Sequence, residues 1–190
     1  MPATEKFPLL GDYNGNFVHP RIAVGGCMRA HFVPDLVKAG IRGIVNATGV
    51  AQKSHLIYIA SLPDSIHWQL LGYWDGQHPT DKRDSVVDCV DPQFAFMMVE
   101  LTARVVRDCS PVLIHCGGGI GRSGNLAAIV YAAMENVTPQ EAVKRMRLLR
   151  PKLGDFGGEK WKYCDVPKLV ALAKQILAEP QGSSKINMMP

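Results

Sequence analysis

Residues 111–134 constrain the chain more tightly than any other stretch. Val112, Leu113, Ile114 and His115 read as a short buried strand, and residues 123–134 read as a helix whose part from Leu126 to Met134 is apolar on every side. A helix with no polar face must lie inside a domain. Seven residues, Cys116-Gly117-Gly118-Gly119-Ile120-Gly121-Arg122, join strand to helix, and four of them are glycine. A buried strand that passes through so tight a turn into a buried helix belongs to an α/β sandwich, where ligands sit beyond the carboxyl ends of the strands.

The remaining pattern agrees. Apolar runs bounded by Gly, Pro or polar residues predict strands at 21–25, 41–48, 66–73 and 111–115. Phe94, Met97, Met98, Leu101 and Val105 follow helical spacing behind Asp91-Pro92, an N-cap with proline in the first turn. Thr138-Pro139-Gln140-Glu141 is a capping-box start for a helix carrying Ala142, Met146 and Leu149. Asp165 opens a last helix with Val166, Leu169, Val170, Ala173, Ile176 and Leu177 on one face. The expectation is a largely parallel, twisted central sheet of about four or five strands flanked by helices. Residues 1–20 read as an N-terminal arm, 21–179 as the domain proper and 180–190 as a flexible tail.

Composition narrows the function classes. The 190 residues, 47% of them hydrophobic, suit one domain. Five cysteines, odd in number and without a Cys-x-x-Cys pair, read as reduced thiols of an intracellular protein and suggest no metal site. No signal peptide is read at the N-terminus, and no apolar run approaches the roughly 18 residues of a membrane span. A soluble protein of the cytoplasm, or of cytoplasm and nucleus, is expected. The net charge of +4 does not argue for nucleic-acid binding. Residues 141–162 hold seven basic residues (Lys144, Arg145, Arg147, Arg150, Lys152, Lys160 and Lys162) against Glu141, Asp155 and Glu159. That stretch is either a solvated helix face or a rim that attracts an anionic substrate.

The chemistry lies in the glycine loop. Glycines let successive N–H groups point into one concavity, and the following helix adds its dipole there, which suits a tetrahedral oxyanion. Arg122 supplies a planar guanidinium able to grip two phosphate oxygens. The same amides and cation favour the thiolate of Cys116, a nucleophile at neutral pH.

His115-Cys116-Gly117-Gly118-Gly119-Ile120-Gly121-Arg122-Ser123-Gly124 resembles the His-Cys-x-x-Gly-x-Gly-Arg-Ser/Thr signature of the protein tyrosine phosphatase superfamily, dual-specificity type. Its core from Gly118 to Ser123 is similar to that of the cyclin-dependent-kinase-associated phosphatases. Weaker similarity runs from Ile22-Ala23-Val24-Gly25-Gly26 through Ile44-Val45-Asn46-Ala47-Thr48 to Leu148-Leu149-Arg150-Pro151. The resemblance implies that Cys116 is the nucleophile of a phosphocysteine mechanism and Arg122 the phosphate clamp. It also implies that Ser123 assists departure of the thiolate and that His115 supports the loop without reacting. No cofactor is implied.

A two-step mechanism needs a general acid that later serves as base. Tyr73-Trp74-Asp75-Gly76-Gln77-His78-Pro79 resembles the family's acid loop and makes Asp75 the candidate, with Asp84 the alternative. Trp74 stands where tyrosine-specific relatives have proline, and Gly157-Gly158-Glu159-Lys160 lacks the glutamine that relatives often place there to position water. Gly117, Gly118 and Ile120 carry no charge, which favours a phosphorylated protein, a kinase or other signalling protein among the candidates; a monomer is expected separately. A phosphoinositide, glucan or RNA 5′-phosphate is the alternative substrate, and a non-catalytic phosphate-binding module the alternative function. Buried packing is the role read for Cys27, Cys89 and Cys109, with a protective disulfide to Cys116 as the lesser alternative for each.

Overall fold

The computed structural model describes residues 10–48, 57–71, 92–157, 161 and 164–181. Its strands are β1 (Gly15–His19), β2 (Ile22–Gly25), β3 (Gly43–Asn46), β4 (His67–Leu70) and β5 (Val112–His115). The helices are α1 (Val33–Lys38), α2 (Pro92–Cys109), α3 (Arg122–Glu135), α4 (Pro139–Arg147) and α5 (Val166–Ala178).

The strands form one sheet in the order β1-β2-β5-β3-β4, with β1 antiparallel to β2 and every other pairing parallel. This is the expected α/β fold, a five-stranded mixed sheet between helices. Register fixes what meets at the carboxyl edge: Gly25 and Asn46 both stand opposite His115, on either side of central β5. Alternation along the strands divides the core. Ile22, Val24, Val45, Val112 and Ile114 face α2 to α5, whereas Ala23, Ile44 and Leu113 face α1, Tyr13 and Tyr58.

Helix α3 is buried along nearly its whole length because α2, α4 and α5 surround it and β2 and β5 underlie it. Its apolar circumference thus has a partner in every direction. Thr138 caps α4 by accepting from Glu141 N at 3.2 Å, and Asp165 caps α5 by accepting from Lys168 N at 3.2 Å. Asp91, the expected cap of α2, lies outside the described residues.

The expected N-terminal arm requires correction. From residue 10 onward it belongs to the fold: β1 pairs with β2, Phe17 and Val18 are buried in the two halves of the core, and Leu10 and Tyr13 are buried beside Phe17. The strands predicted at 41–48 and 66–73 are shorter, β3 spanning Gly43–Asn46 and β4 His67–Leu70, and residues 72–73 of the second lie outside the described residues. Among the described residues, no helix is long and apolar enough to cross a membrane.

Candidate active site

Strand β5 delivers Cys116 to the carboxyl edge of the sheet, where Cys116 N donates to Gly25 O at 3.2 Å. The chain then turns through Gly119 at φ +68°. A side chain there would begin 2.5 Å from the Gly25 carbonyl carbon and 2.6 Å from Gly26 N, so only glycine fits. In this conformation Gly119 N–H points at Cys116 Sγ, 3.3 Å away. Ser123, fully buried in the first turn of α3, has its Oγ 3.2 Å from the same sulfur.

Cys116 is 3% exposed. Burial pushes its pKa up, but the hydrogen bonds from Ser123 and Gly119 and the charge of Arg122 outweigh burial and hold the thiol below its ordinary value. Arg122 donates from Nη1 to Thr48 O at 2.9 Å, and its Nη2 lies 3.5 Å from where a side chain on Gly117 would begin. The guanidinium therefore folds back beside the loop. A thiol at the base, backbone amides in the turn and a guanidinium at the far end can together hold a phosphoryl group against sulfur.

Two hydrogen-bonded systems hold this arrangement. On the β3 side, Tyr58 OH lies 3.0 Å from His115 Nε2 and accepts from Asn46 Nδ2 at 3.1 Å. Asn46 Oδ1 accepts from Thr48 N at 3.0 Å and from Thr48 Oγ1 at 2.7 Å, and Thr48 carries the carbonyl that Arg122 grips. Burial pushes the Tyr58 pKa up to about 12, so its hydroxyl stays neutral. The chain thus runs from His115, before the loop, to Arg122, after it.

On the β1 side, Arg150 is 3% exposed and donates from Nε to Gly119 O at 3.1 Å. Its Nη1 donates to Asn16 Oδ1 at 3.0 Å, and its Nη2 donates to Asn14 Oδ1 at 3.2 Å and Asn14 O at 3.4 Å. Tyr13 OH donates to Gly26 O at 2.7 Å, bracing the strand end against which Gly119 packs.

Of the residues expected at the site, His115, Cys116, Gly117, Gly118, Gly119, Ile120, Gly121, Arg122 and Ser123 lie together. Asp75 and Asp84, the acid candidates, lie outside the described residues, as do Cys89 and Gly158-Glu159-Lys160. Gly154 N donates to Ile120 O at 3.4 Å and Gly157 N to Asn125 Oδ1 at 3.3 Å, so residues 154–157 border the loop. The basic stretch resolves into separate roles: Arg145 pairs with Glu141 at 3.0 Å, Arg147 with Asp155 at 2.8 Å, and Arg150 is buried. Tyr13, Asn14, Asn16, Asn46, Tyr58 and Arg150 are the supports that the motif does not contain. Only Asn46 and Arg150 left a trace, inside the segments of weaker family similarity.

Strand, glycine loop and buried helix, with a thiol and a guanidinium at the two ends, define the phosphate site of a cysteine-type phosphatase domain. Residues 17–153 match the family described as Swiss Army Knife protein, DSP-PTPase phosphatase domain, and the chain belongs to that family. It is 22% identical over 146 residues to 067L of Invertebrate iridescent virus 3, whose name carries the words tyrosine phosphatase, covering 77% of this chain and 57% of the relative. A 45-residue stretch, 24% of this chain, is 42% identical to 197R of Invertebrate iridescent virus 6, similarly named, and spans 17% of it. The chain therefore matches little more than half of one viral relative and a sixth of the other.

Among solved structures, TpbA of P. aeruginosa in complex with phosphotyrosine aligns with TM-score 0.60 at 16% identity, covering 88% of this chain and 92% of that one. DUSP15 gives 0.59 at 15% identity over 85% and 95%. PTPMT1 in complex with PI(5)P gives 0.55 at 15% identity over 87% and 97%. At these identities the likeness is one of fold.

Proposed function

We propose that the chain is a phosphoric monoester hydrolase acting on phosphoproteins, on phosphotyrosine and on phosphoserine or phosphothreonine, through a phosphocysteine intermediate. The observation that carries this reading is the environment of Cys116 Sγ, with Ser123 Oγ at 3.2 Å, Gly119 N at 3.3 Å and the Arg122 charge beside it. A binding module for phosphate requires no such thiol.

In the first step the Cys116 thiolate attacks phosphorus, the S–P bond forms as the ester P–O bond breaks, and the leaving oxygen takes a proton from an acid. Asp75 is the proposed acid. In the second step water loses a proton to the same carboxylate and attacks phosphorus. The S–P bond breaks, inorganic phosphate departs, and sulfur leaves as a thiolate that Ser123 stabilises. Arg122 and the loop amides hold the equatorial oxygens throughout.

The substrate class rests on the loop surface. Gly117, Gly118 and Ile120 offer no cation for additional phosphates, and Ile120, 44% exposed, offers apolar area to an aryl or peptidyl group. The loop core from Gly118 to Ser123 supports a place beside the cyclin-dependent-kinase-associated phosphatases, with a phosphorylated kinase or other signalling protein as partner.

The purified chain should hydrolyse an aryl phosphate in a vanadate-sensitive reaction that Cys116→Ser reduces by at least about 10⁴-fold. Equal inactivity of both proteins, with phosphopeptide binding retained, would overturn the enzyme reading. Phosphotyrosyl and phosphothreonyl peptides should be turned over faster than a phosphatidylinositol monophosphate in vesicles. The reverse order would move the substrate to the lipid.

A further inference from the structure

Gly119 carries two opposed duties. Its N–H points at Cys116 Sγ, and its carbonyl is gripped by Arg150 Nε at 3.1 Å. A glycine has no side chain to anchor it, so this left-handed turn keeps its place through its backbone contacts. The Cys116-x5-Arg122 motif supplies the sulfur and the phosphate clamp, but it supplies nothing that grips the Gly119 carbonyl.

The charge of Arg150 is the second observation. A guanidinium this deeply buried is stable when its donors are satisfied and an anion is near. Each of its three nitrogens donates, but every acceptor that the described residues give it is neutral: Gly119 O, Asn14 O and two asparagine side-chain oxygens. Burial lowers the pKa of Arg150, while the ionised forms of Tyr13 and Cys116 would raise it. Burial holds Tyr13 well above its ordinary value, so Tyr13 is neutral. Among the described groups acting on Arg150, Cys116 is left as the source of negative charge, and it lies one residue away through Gly119, whose carbonyl Arg150 holds at 3.1 Å and whose N is 3.3 Å from the sulfur.

We propose that Arg150 is a positioning residue and the second cation of the site: it pins the Gly119 carbonyl so that Gly119 N–H stays on the Cys116 sulfur, and the thiolate is its counter-ion. The proposal rests on the thiolate reading above. Phosphate arriving in the loop would meet the same charge. Among the described residues, the other groups acting on the sulfur are Arg122 and Ser123 on α3 and Tyr13 before β1, with His115 at the end of β5, Tyr58 across the sheet and Cys27 after β2 next to these. Tyr13 and Tyr58 are neutral at working pH, and Arg122 remains in every variant below.

The test reads the sulfur rather than turnover. Alkylation of Cys116 in the full chain by iodoacetamide is followed against pH by mass spectrometry of its peptide, alongside thermal unfolding of each variant. Arg150→Met should move the midpoint up by about half a unit and slow alkylation at pH 6 roughly threefold. Arg150→Lys, which keeps charge but loses the fork, should recover part of that shift. Asn16→Asp keeps a hydrogen-bond acceptor and sets a carboxylate against the guanidinium. It should shift the midpoint in the same direction with the melting temperature preserved, and it decides the matter if Arg150→Met does not fold. Midpoints within about 0.1 unit of wild type in the folded variants would reduce Arg150 to packing. A wild type that hydrolyses no monoester, yet shows these shifts, would overturn the proposed function and leave this inference standing; an active wild type with unmoved midpoints would do the reverse.

Discussion

The two supports beneath the phosphate loop are built from different chemistry. On the β3 side, Asn46, Thr48, Tyr58 and His115 form a chain of hydrogen bonds among polar groups that ends on Arg122, so what it transmits is position. On the β1 side, a single buried guanidinium contacts Gly119 and both asparagines, so it transmits position and charge together. Arg122 is thus oriented from one side, and the amide that points at the Cys116 sulfur from the other. Breaking the first at Tyr58, which leaves the bond between Arg122 and Thr48 in place, should loosen the site without altering the sulfur's titration, whereas breaking the second should alter both.

Three substitutions probe that contrast. Gly119→Ala is the most severe, because its Cβ would meet Gly25 and Gly26 backbone and Arg150 Nη2 at 2.6 Å or less. Displacing the turn should cut aryl phosphate hydrolysis by about 100-fold or more and raise the alkylation midpoint of Cys116. Activity within about threefold of wild type would show that the loop does not depend on this close packing.

Ser123→Ala acts on the sulfur directly and belongs to neither support. A thiol with a lowered pKa is anionic above that value, so its rate of alkylation by iodoacetamide rises as pH passes upward through it. Removing the hydroxyl that favours the anion should displace this acid limb to higher pH by about one unit. The rate below the limb then falls about tenfold, and the alkaline rates converge on wild type. A pH profile that keeps its midpoint would show that the Ser123 hydroxyl does not set the ionisation of Cys116.

Tyr58→Phe should have the smallest effect on the sulfur and a clear one on the fold. It takes the hydroxyl from His115 Nε2 and Asn46 Nδ2, at a cost of about 1–3 kcal/mol in denaturant unfolding. The Cys116 midpoint should not move. A shift as large as that of Arg150→Met would erase the distinction between the two sides.

The central strand, the loop and α3 were legible because their signals are local: an apolar run, a cluster of glycines and a helix without a polar face. The caps Thr138 and Asp165 were legible for the same reason, each bonding three residues ahead. Strand β1 was not. Gly15, Asn16 and His19 leave only Phe17 and Val18 as an apolar signal, and an edge strand needs no longer one. The β1-side support was hidden more deeply, because Arg150 lies 134 residues from Asn16 in sequence and stands in a run of basic residues that resembles a solvated face. Burial of an arginine depends on partners that only the sheet brings together. Asn46 and Tyr58 are closer in sequence, yet their roles depend on His115 arriving beside them on the neighbouring strand.

The contact between Arg150 and the β1 hairpin also bears on how far the chain can be trimmed. A fragment cut to the limits of the family match, residues 17–153, would retain Cys116, Arg122, Ser123 and Arg150. It would lose Tyr13, Asn14 and Asn16, leaving Gly26 O without its tyrosine and the guanidinium without three of its four bonds. Such a fragment would carry every residue of the signature and still leave the Gly119 turn beside Cys116 without most of its support. The shortest stretch that can be moved into another protein with its chemistry intact therefore begins before residue 13, ahead of the first residue that the family pattern recognises.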